Sequence, residues 1–173
     1  RKDARNSEIE GRHSQAGGVA ATLAIDAQQS IEAGWTGGTE RRFYDTVSST
    51  KGGYRSTYDI DRSQAHVGWK GRFEGWRGRV QAYRSEIDIV NSASNGVTAT
   101  RPQNLLDEVI DGHATVKLGG HQVTFGGEWR DETLTNAGLT TGRDSDTHKA
   151  PFVQDAVALA SSLMLTGGPR ADN

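Results

Sequence analysis

The 173-residue sequence has no cysteine, three prolines, one methionine and no run of 18 apolar residues. Each shortage removes a class of protein. Without cysteine there is no disulfide scaffold and no thiolate for zinc, and the composition fits an oxidising or extracytoplasmic setting. Without a long apolar run there is no transmembrane helix, although a mean hydropathy of −0.67 does not exclude a β-barrel, in which only alternate residues meet lipid. Large apolar side chains are also scarce, with four Phe and one Met, so little is on hand to fill the centre of a closed globule. Charge of one sign is missing too. Lys plus Arg is 20 against 22 for Asp plus Glu, a formal net charge of −2, so nothing draws the chain in bulk to nucleic acid, and none is expected as a partner.

Catalytic groupings are absent as well. The histidines at 13, 66, 113, 121 and 148 show no H-x-x-x-H spacing. Gly37-Gly38 and Gly52-Gly53 lack the Lys-Ser/Thr and the helix of a phosphate loop. The acidic pairs Asp59 with Asp61 and Asp107 with Glu108 read as exposed loop charge rather than as a calcium site. No enzyme activity, no cofactor and no metal site are expected.

What the sequence has is glycine, 22 residues or nearly 13%, and alternation. Period-2 patterning recurs in segment after segment, which makes the chain all-β. Val19, Ala21, Leu23 and Ile25 share one face, and Ile31, Ala33 and Trp35 share another. Ala65, Val67 and Trp69 oppose Gln64, His66 and Lys70. Trp76, Gly78, Val80 and Ala82 oppose Arg77, Arg79 and Gln81. Ala114, Val116 and Leu118 lead through Gly119-Gly120, a hairpin signal, into Val123, Phe125 and Trp129. Two less regular runs, 152–159 and 163–166, complete about eight strands.

The links alternate strictly between short and long. Those near 26–30, 71–75, 119–121 and 160–162 are tight, whereas 46–57, 91–105 and 135–149 are long and rich in Ser, Thr, Gly, Asn and Asp. A soluble meander has no reason to gather every long loop at one end. A membrane barrel has one, with short turns on one side and long loops on the other, joined by tilted strands of about 9–11 residues. The expected fold is therefore a set of antiparallel up-and-down transmembrane strands, in a partial or small barrel. Trp35, Trp69, Trp76 and Trp129 suit the aromatic girdles at its two interfaces. Arg77, Arg79, Lys117, Glu128 and Arg130 would line its lumen in structural ion pairs.

Residues 119–134, GGHQVTFGGEWRDETL, place a turn before a strand of the form hydrophobic-T-hydrophobic-G-G-E-hydrophobic-R. FVQD at 152–155 is followed by LMLTGG at 163–168 and RAD at 170–172. In order and spacing these resemble the barrel strands of TonB-dependent outer-membrane receptors, whose corresponding pair reads F-x-Q-D-E and L-x-L-T-x-G-x-R-x-D; among them the ferric-siderophore receptors of the enterobactin type are nearest. The resemblance is specific over 106–172 and only architectural before that. It departs at Ala156, where the family carries Glu, and at Pro169, which falls inside a strand where its missing N–H interrupts the ladder.

The resemblance implies a bacterial outer-membrane location, contact with outer-membrane lipid, and uptake of ferric siderophores driven by the TonB system through a plug domain. On that expectation residues 1–173 are one internal segment of a larger barrel, without the plug. Anionic iron chelates are captured by cations and rings on the outer loops, which points to Lys51, Tyr54, Arg55 and Tyr58 on one long loop and Arg101 on another. The alternative is a soluble eight-stranded barrel or sandwich that binds a small ligand or carbohydrate through its tryptophans.

Overall fold

The computed structural model describes residues 11–99, 102–160 and 162–173. Alternation becomes strand throughout: β1 (Gly11–Ala24), β2 (Gln29–Ser48), β3 (Gly52–Phe73), β4 (Trp76–Ala93), β5 (Gln103–Leu118), β6 (His121–Asn136), β7 (Arg143–Ala160) and β8 (Leu163–Gly167). Each strand pairs antiparallel with the next in a single eight-stranded sheet of order β1 to β8, without closure between β1 and β8. All eight lie in one sheet, so no second sheet faces the first as a sandwich requires.

The short turns fall where the sequence puts them. Residues 74–75 and 119–120 are two-residue hairpins, with Gly75 and Gly119 supplying the positive φ (78° and 61°) that such turns demand. The long loops are shorter than expected. At the opposite end the links are only 49–51, 94–102 and 137–142, because β2 and β3 run through most of 46–57 and β7 begins at Arg143. The strands are correspondingly longer than a bilayer needs: β3 has 22 residues. A polar, Thr- and Tyr-bearing segment beyond a membrane needs no apolar face to stay a strand, since the ladder itself satisfies its backbone groups.

Paired residues share a face, so the register sorts the side chains. One face carries Val19, Trp35, Val67, Val80, Ile110, Phe125 and Trp129, all exposed. The other carries Glu32, Lys70, Arg79, Gln81, Asp111 and Arg130. Most of the buried residues, including Val109, Ile60, Glu40, Thr115 and Asn91, belong to this second face. Crowding on one side and exposure on the other make the polar face concave and the apolar face convex. The described residues form no hydrophobic centre, and the accessible surface is 12094 Å², against about 8,200 Å² for a globular chain of this mass.

The apolar band on the convex face is slanted. Its last apolar residues toward the long end are Gly37 on β2, Ala65 on β3, Ala82 on β4, Ile110 on β5, Trp129 on β6 and Pro151 on β7. Followed through the register, the row of Gly37 reaches β7 at Ser145, six residues from Pro151 and five strands away. With about 3.3 Å per residue and about 4.8 Å between strands, the band lies at about 40° to the hydrogen-bonded rows, the tilt of strands in a membrane barrel. From Ala65 to Phe73 it covers about 20 Å of barrel height at that tilt, close to the ~25 Å of an outer-membrane band. On β7 it is broken by Asp155, which bonds His121 Nδ1 at 2.7 Å.

Pro169 does not end the pairing. β8 stops at Gly167, yet Val153 N–H donates to the Pro169 carbonyl at 3.1 Å, Ala171 N–H to Pro151 at 3.1 Å and Asn173 N–H to Lys149 at 3.1 Å. The register that joins Gly167 to Asp155 thus continues through the Phe152–Arg170 bridge, each proline forfeiting only its own N–H. Among the described residues the one irregularity is a bulge between Ala158 and Ala160.

Candidate functional site

All four tryptophans stand on the convex face. Trp35 and Trp129 sit at or beside the upper edge of the band and Trp76 at its lower edge. Trp69 lies between, but its indole leans over Gly71 toward that edge, where a Cβ would meet it at 2.5 Å, and its ring centroid is 6.4 Å from Trp76. Phe73 stacks on Trp76 at 4.5 Å. Amphipathic rings collected at two heights are what an interfacial girdle requires.

Above the band the two faces exchange polarity. Outward positions become Arg41, Asp59, Asp61 and Asp88, with Arg41 Nε donating to Asp59 at 2.6 Å. Inward positions become Ile60, Ile87, Ile89, Leu105 and Leu134, neighbours across β3 to β6. This patch is not among the sequence-based expectations, and Asp59 and Asp61, expected as loop charge, both stand within β3. A signal for it exists: the apolar residues of β3 change parity between Ile60 and Ala65, and those of β4 between Ala82 and Ile87, without a bulge. A strand that leaves lipid for water while its other face turns to an enclosed cavity shows that switch.

Next to the patch lies Glu40, with its side chain 4% exposed. It receives Arg12 at 3.0 Å, Arg62 at 3.1 Å and Arg42, three guanidinium groups on one carboxylate. One charge cannot neutralise three, so this part of the inner wall remains cationic. Further out Tyr44 and Tyr58 stack at 5.9 Å with their hydroxyls 3.3 Å apart.

The candidate ligand residues divide between the faces. Lys51 is in the 49–51 turn, while Tyr54, Arg55 and Tyr58 are on β3 rather than on a long loop. Tyr54 and Tyr58 share the inner face with Tyr44. Arg55 is on the outer face, where it is bonded to Asp45 at 2.9 and 3.0 Å and lies 5.0 Å over the Phe43 ring. Arg101 lies outside the described residues. Of the expected lumen residues, Arg130 reaches Asp107 at 3.2 Å and Arg79 reaches Glu32 at 3.8 Å, as structural ion pairs should. Arg77 and Lys117 have no ion pair among the described residues, so that expectation fails for them. Of the acids on their wall, Asp111 accepts from Gln81 at 2.6 Å, and Glu32 is committed to Lys70 and Arg79.

No protein-family model matches the sequence, and no curated protein does either. Solved structures do. The chain is similar to the ferric preacinetobactin receptor BauA of Acinetobacter baumannii, with a TM-score of 0.66 and 14% identity over 91% of this chain and 30% of that one. It is similar to the copper transporter OprC, with a TM-score of 0.72 and 11% identity over 90% of this chain and 29% of that one. It is also similar to a mutant of the ferric enterobactin receptor PfeA of Pseudomonas aeruginosa, with a TM-score of 0.68 and 14% identity over 98% of this chain and 31% of that one. The chain spans about 30% of the length of these structures, and what it shares with them is their fold: an all-β, up-and-down antiparallel wall, open at both edges, as in a partial barrel.

Proposed function

We propose that the chain is a wall segment of an outer-membrane, TonB-dependent receptor that takes up ferric siderophores. The observation that carries the reading is the convex apolar band, slanted at about 40° and edged by tryptophans, set against a polar concave wall. The similarity to solved siderophore receptors and the barrel motifs of residues 106–172 support it. In this reading the convex face meets lipid, the concave face lines the lumen, and the long-strand end faces the outside. Residues 1–173 are one segment of the barrel, and the TonB system acts through a plug that it encloses.

The proposed ligand surface is the inner wall above the band. Tyr54, Tyr58 and Tyr44 offer rings, the Ile60 to Leu134 patch offers an apolar floor, and Lys51 at the rim with Arg42 and Arg62 offers positive charge. That combination suits a chelate with an apolar skeleton and a net negative centre. Arg55, tied to Asp45 and Phe43 on the other face, lies apart from it.

Refolding tests the reading. Diluted from urea into detergent micelles or phosphatidylcholine vesicles, the chain should gain β-structure and protease protection, with an iron catecholate quenching tryptophan or tyrosine emission. A folded, monodisperse monomer in plain buffer would overturn the membrane assignment. Folding in micelles with no response to any iron chelate would leave the wall and remove the ligand.

A further inference from the structure

Of the asparagines at 6, 91, 95, 104, 136 and 173, only Asn95 precedes a glycine. Asn91 and Asn104 lie within β4 and β5 with their side-chain amides engaged. Asn91 donates to Ser56 and to the Thr57 carbonyl at 3.0 and 3.1 Å, and Asn104 to Glu86 and Asp88 at 3.0 and 2.7 Å. Asn95 and Gly96 instead form the exposed tip of the turn after β4, at the long-strand end, both with positive φ (56° and 65°). Val97 N–H donates to the Ser94 carbonyl across this tip at 3.2 Å, and Asn95 Nδ2 donates to the Gly53 carbonyl. The Gly96 N–H has no acceptor among the described residues. Lys51 Nζ stands beside the tip, 3.5 Å from where a Cβ on Gly96 would sit, and has no ion pair among the described residues. Neither 48–53 nor 94–99 contains an acid.

We infer that Asn95 is a self-modifying site: the Gly96 backbone nitrogen closes a cyclic imide on its side chain, the amide becomes a carboxylate, and the new charge pairs with Lys51. The Gly96 nitrogen attacks Asn95 Cγ and gives up its proton. A C–N bond forms, the Cγ–Nδ2 bond breaks, and the amide leaves as ammonia with that proton. Water then reopens the imide at either carbonyl, giving aspartate where the Cγ–N bond is cut and isoaspartate where the backbone C–N bond is cut. Water is consumed and ammonia released, with no change of oxidation state. Glycine at 96 admits the attack, because any side chain there would crowd the nitrogen. The turn must leave its present shape for the ring to close, and an exposed loop tip opens far faster than an amide is lost. After conversion no donor faces the Gly53 carbonyl, and the carboxylate turns to the Lys51 ammonium. The effect on ligand rests on the reading of Lys51 as a rim cation: once paired, it no longer draws an anionic chelate, and affinity falls as the chain ages.

The test incubates the 173-residue chain, refolded in detergent micelles, in mildly alkaline buffer beside a free Ser-Asn-Gly-Val peptide, and follows both by peptide mass mapping. Asn95 should convert to aspartate and isoaspartate at a rate within about tenfold of the free peptide, while Asn91, Asn104 and Asn136 keep their amides. Gly96→Ala should slow the conversion at least about tenfold. A carbodiimide should then join position 95 to Lys51 in the aged chain and in Asn95→Asp, but not in the fresh chain or in aged Lys51→Gln. Affinity for an anionic iron catecholate should fall about two- to fivefold in the aged chain and in Asn95→Asp, a difference that vanishes in Lys51→Gln and in about 0.5 M salt.

An Asn95 that keeps its amide while the free peptide is converted would overturn the inference. So would conversion of Asn91 and Asn104 at the same rate, which would assign the reaction to unfolded chain, or conversion without the cross-link, which would remove Lys51 as the partner. A chain that converts and cross-links yet binds no iron chelate, fresh or aged, upholds the modification and its ion pair and refutes the ligand reading alone.

Discussion

Gly126 is inward-facing on β6, and a Cβ there would run into the Gly112 carbonyl oxygen and the backbone of His113. Backbone cannot step aside as a long side chain can. Gly126→Val is therefore expected to cost at least about 2 kcal/mol, read as a lowered urea midpoint in micelles, whereas Gly17→Val, with nothing within 4 Å of its Cβ, should cost less than about 0.5 kcal/mol. Both residues are glycines in strands, and the sequence treats them alike. The difference comes from curvature, which brings neighbouring backbones closest together on the concave side. Outward glycines have another use: the indole of Trp35 lies over Gly37 as that of Trp69 lies over Gly71, each ring taking the space a side chain would fill. Facing could be read residue by residue from alternation within the membrane band. Beyond it the reading fails at Ile60, because Asp59 and Asp61 beside it read as loop charge when the apolar residue has only changed sides.

The elements show the same division. The turns at Gly75 and Gly119 were legible because a two-residue hairpin demands a positive φ that glycine supplies. The ends of β2, β3 and β7 were not, because a strand in water has no compositional mark separating it from loop; it holds by pairing alone. The β1–β2 turn carries a pH signature. Asp26 accepts from the Gln28 backbone N–H at 2.7 Å and from the Gln29 side-chain amide at 2.8 Å, and these bonds hold its pKa below the ordinary carboxylate value. Since the folded value is the lower one, the turn is fully braced above the unfolded pKa of about 3.9 and loosens as pH falls through the folded value. The Gln28 amide resonance should hold steady from about pH 5 to 8 and move below about pH 4, and Asp26→Asn should abolish that movement. A wall element makes a different prediction. Val80 is 49% exposed and central in the convex band, in the row of Ile31 and Trp69. Val80→Arg should cost roughly 2–4 kcal/mol in vesicles, while Gln64→Arg on the concave face should cost much less. Equal costs at the two sites would remove the lipid from the convex face.

At the scale of the whole molecule the decisive property is an open sheet with no centre. Among the described residues β1 pairs only with β2, so the far side of its 14 residues presents unpaired N–H and C=O groups beside an apolar band. In water such an edge is a template for another strand, and in hydrocarbon each unmet group costs several kcal/mol. Beyond β7 the other edge is interrupted, by the bulge between Ala158 and Ala160 and by Pro169, which has no N–H to offer a further strand. Of the two, β1 is therefore the edge that recruits. Taken by itself in micelles, the 173-residue chain should self-associate through β1 in a concentration-dependent way. Replacing Ala20 by Pro removes a donor from that strand and should shift the equilibrium toward monomer without unfolding β3 to β6, whose contacts lie elsewhere. Analytical ultracentrifugation in density-matched detergent, with circular dichroism on the same samples, separates the outcomes. A monomer at every concentration would mean that β1 finds its hydrogen bonds within the chain, for which the open order β1 to β8 leaves, among the described residues, closure onto β8 as a small barrel.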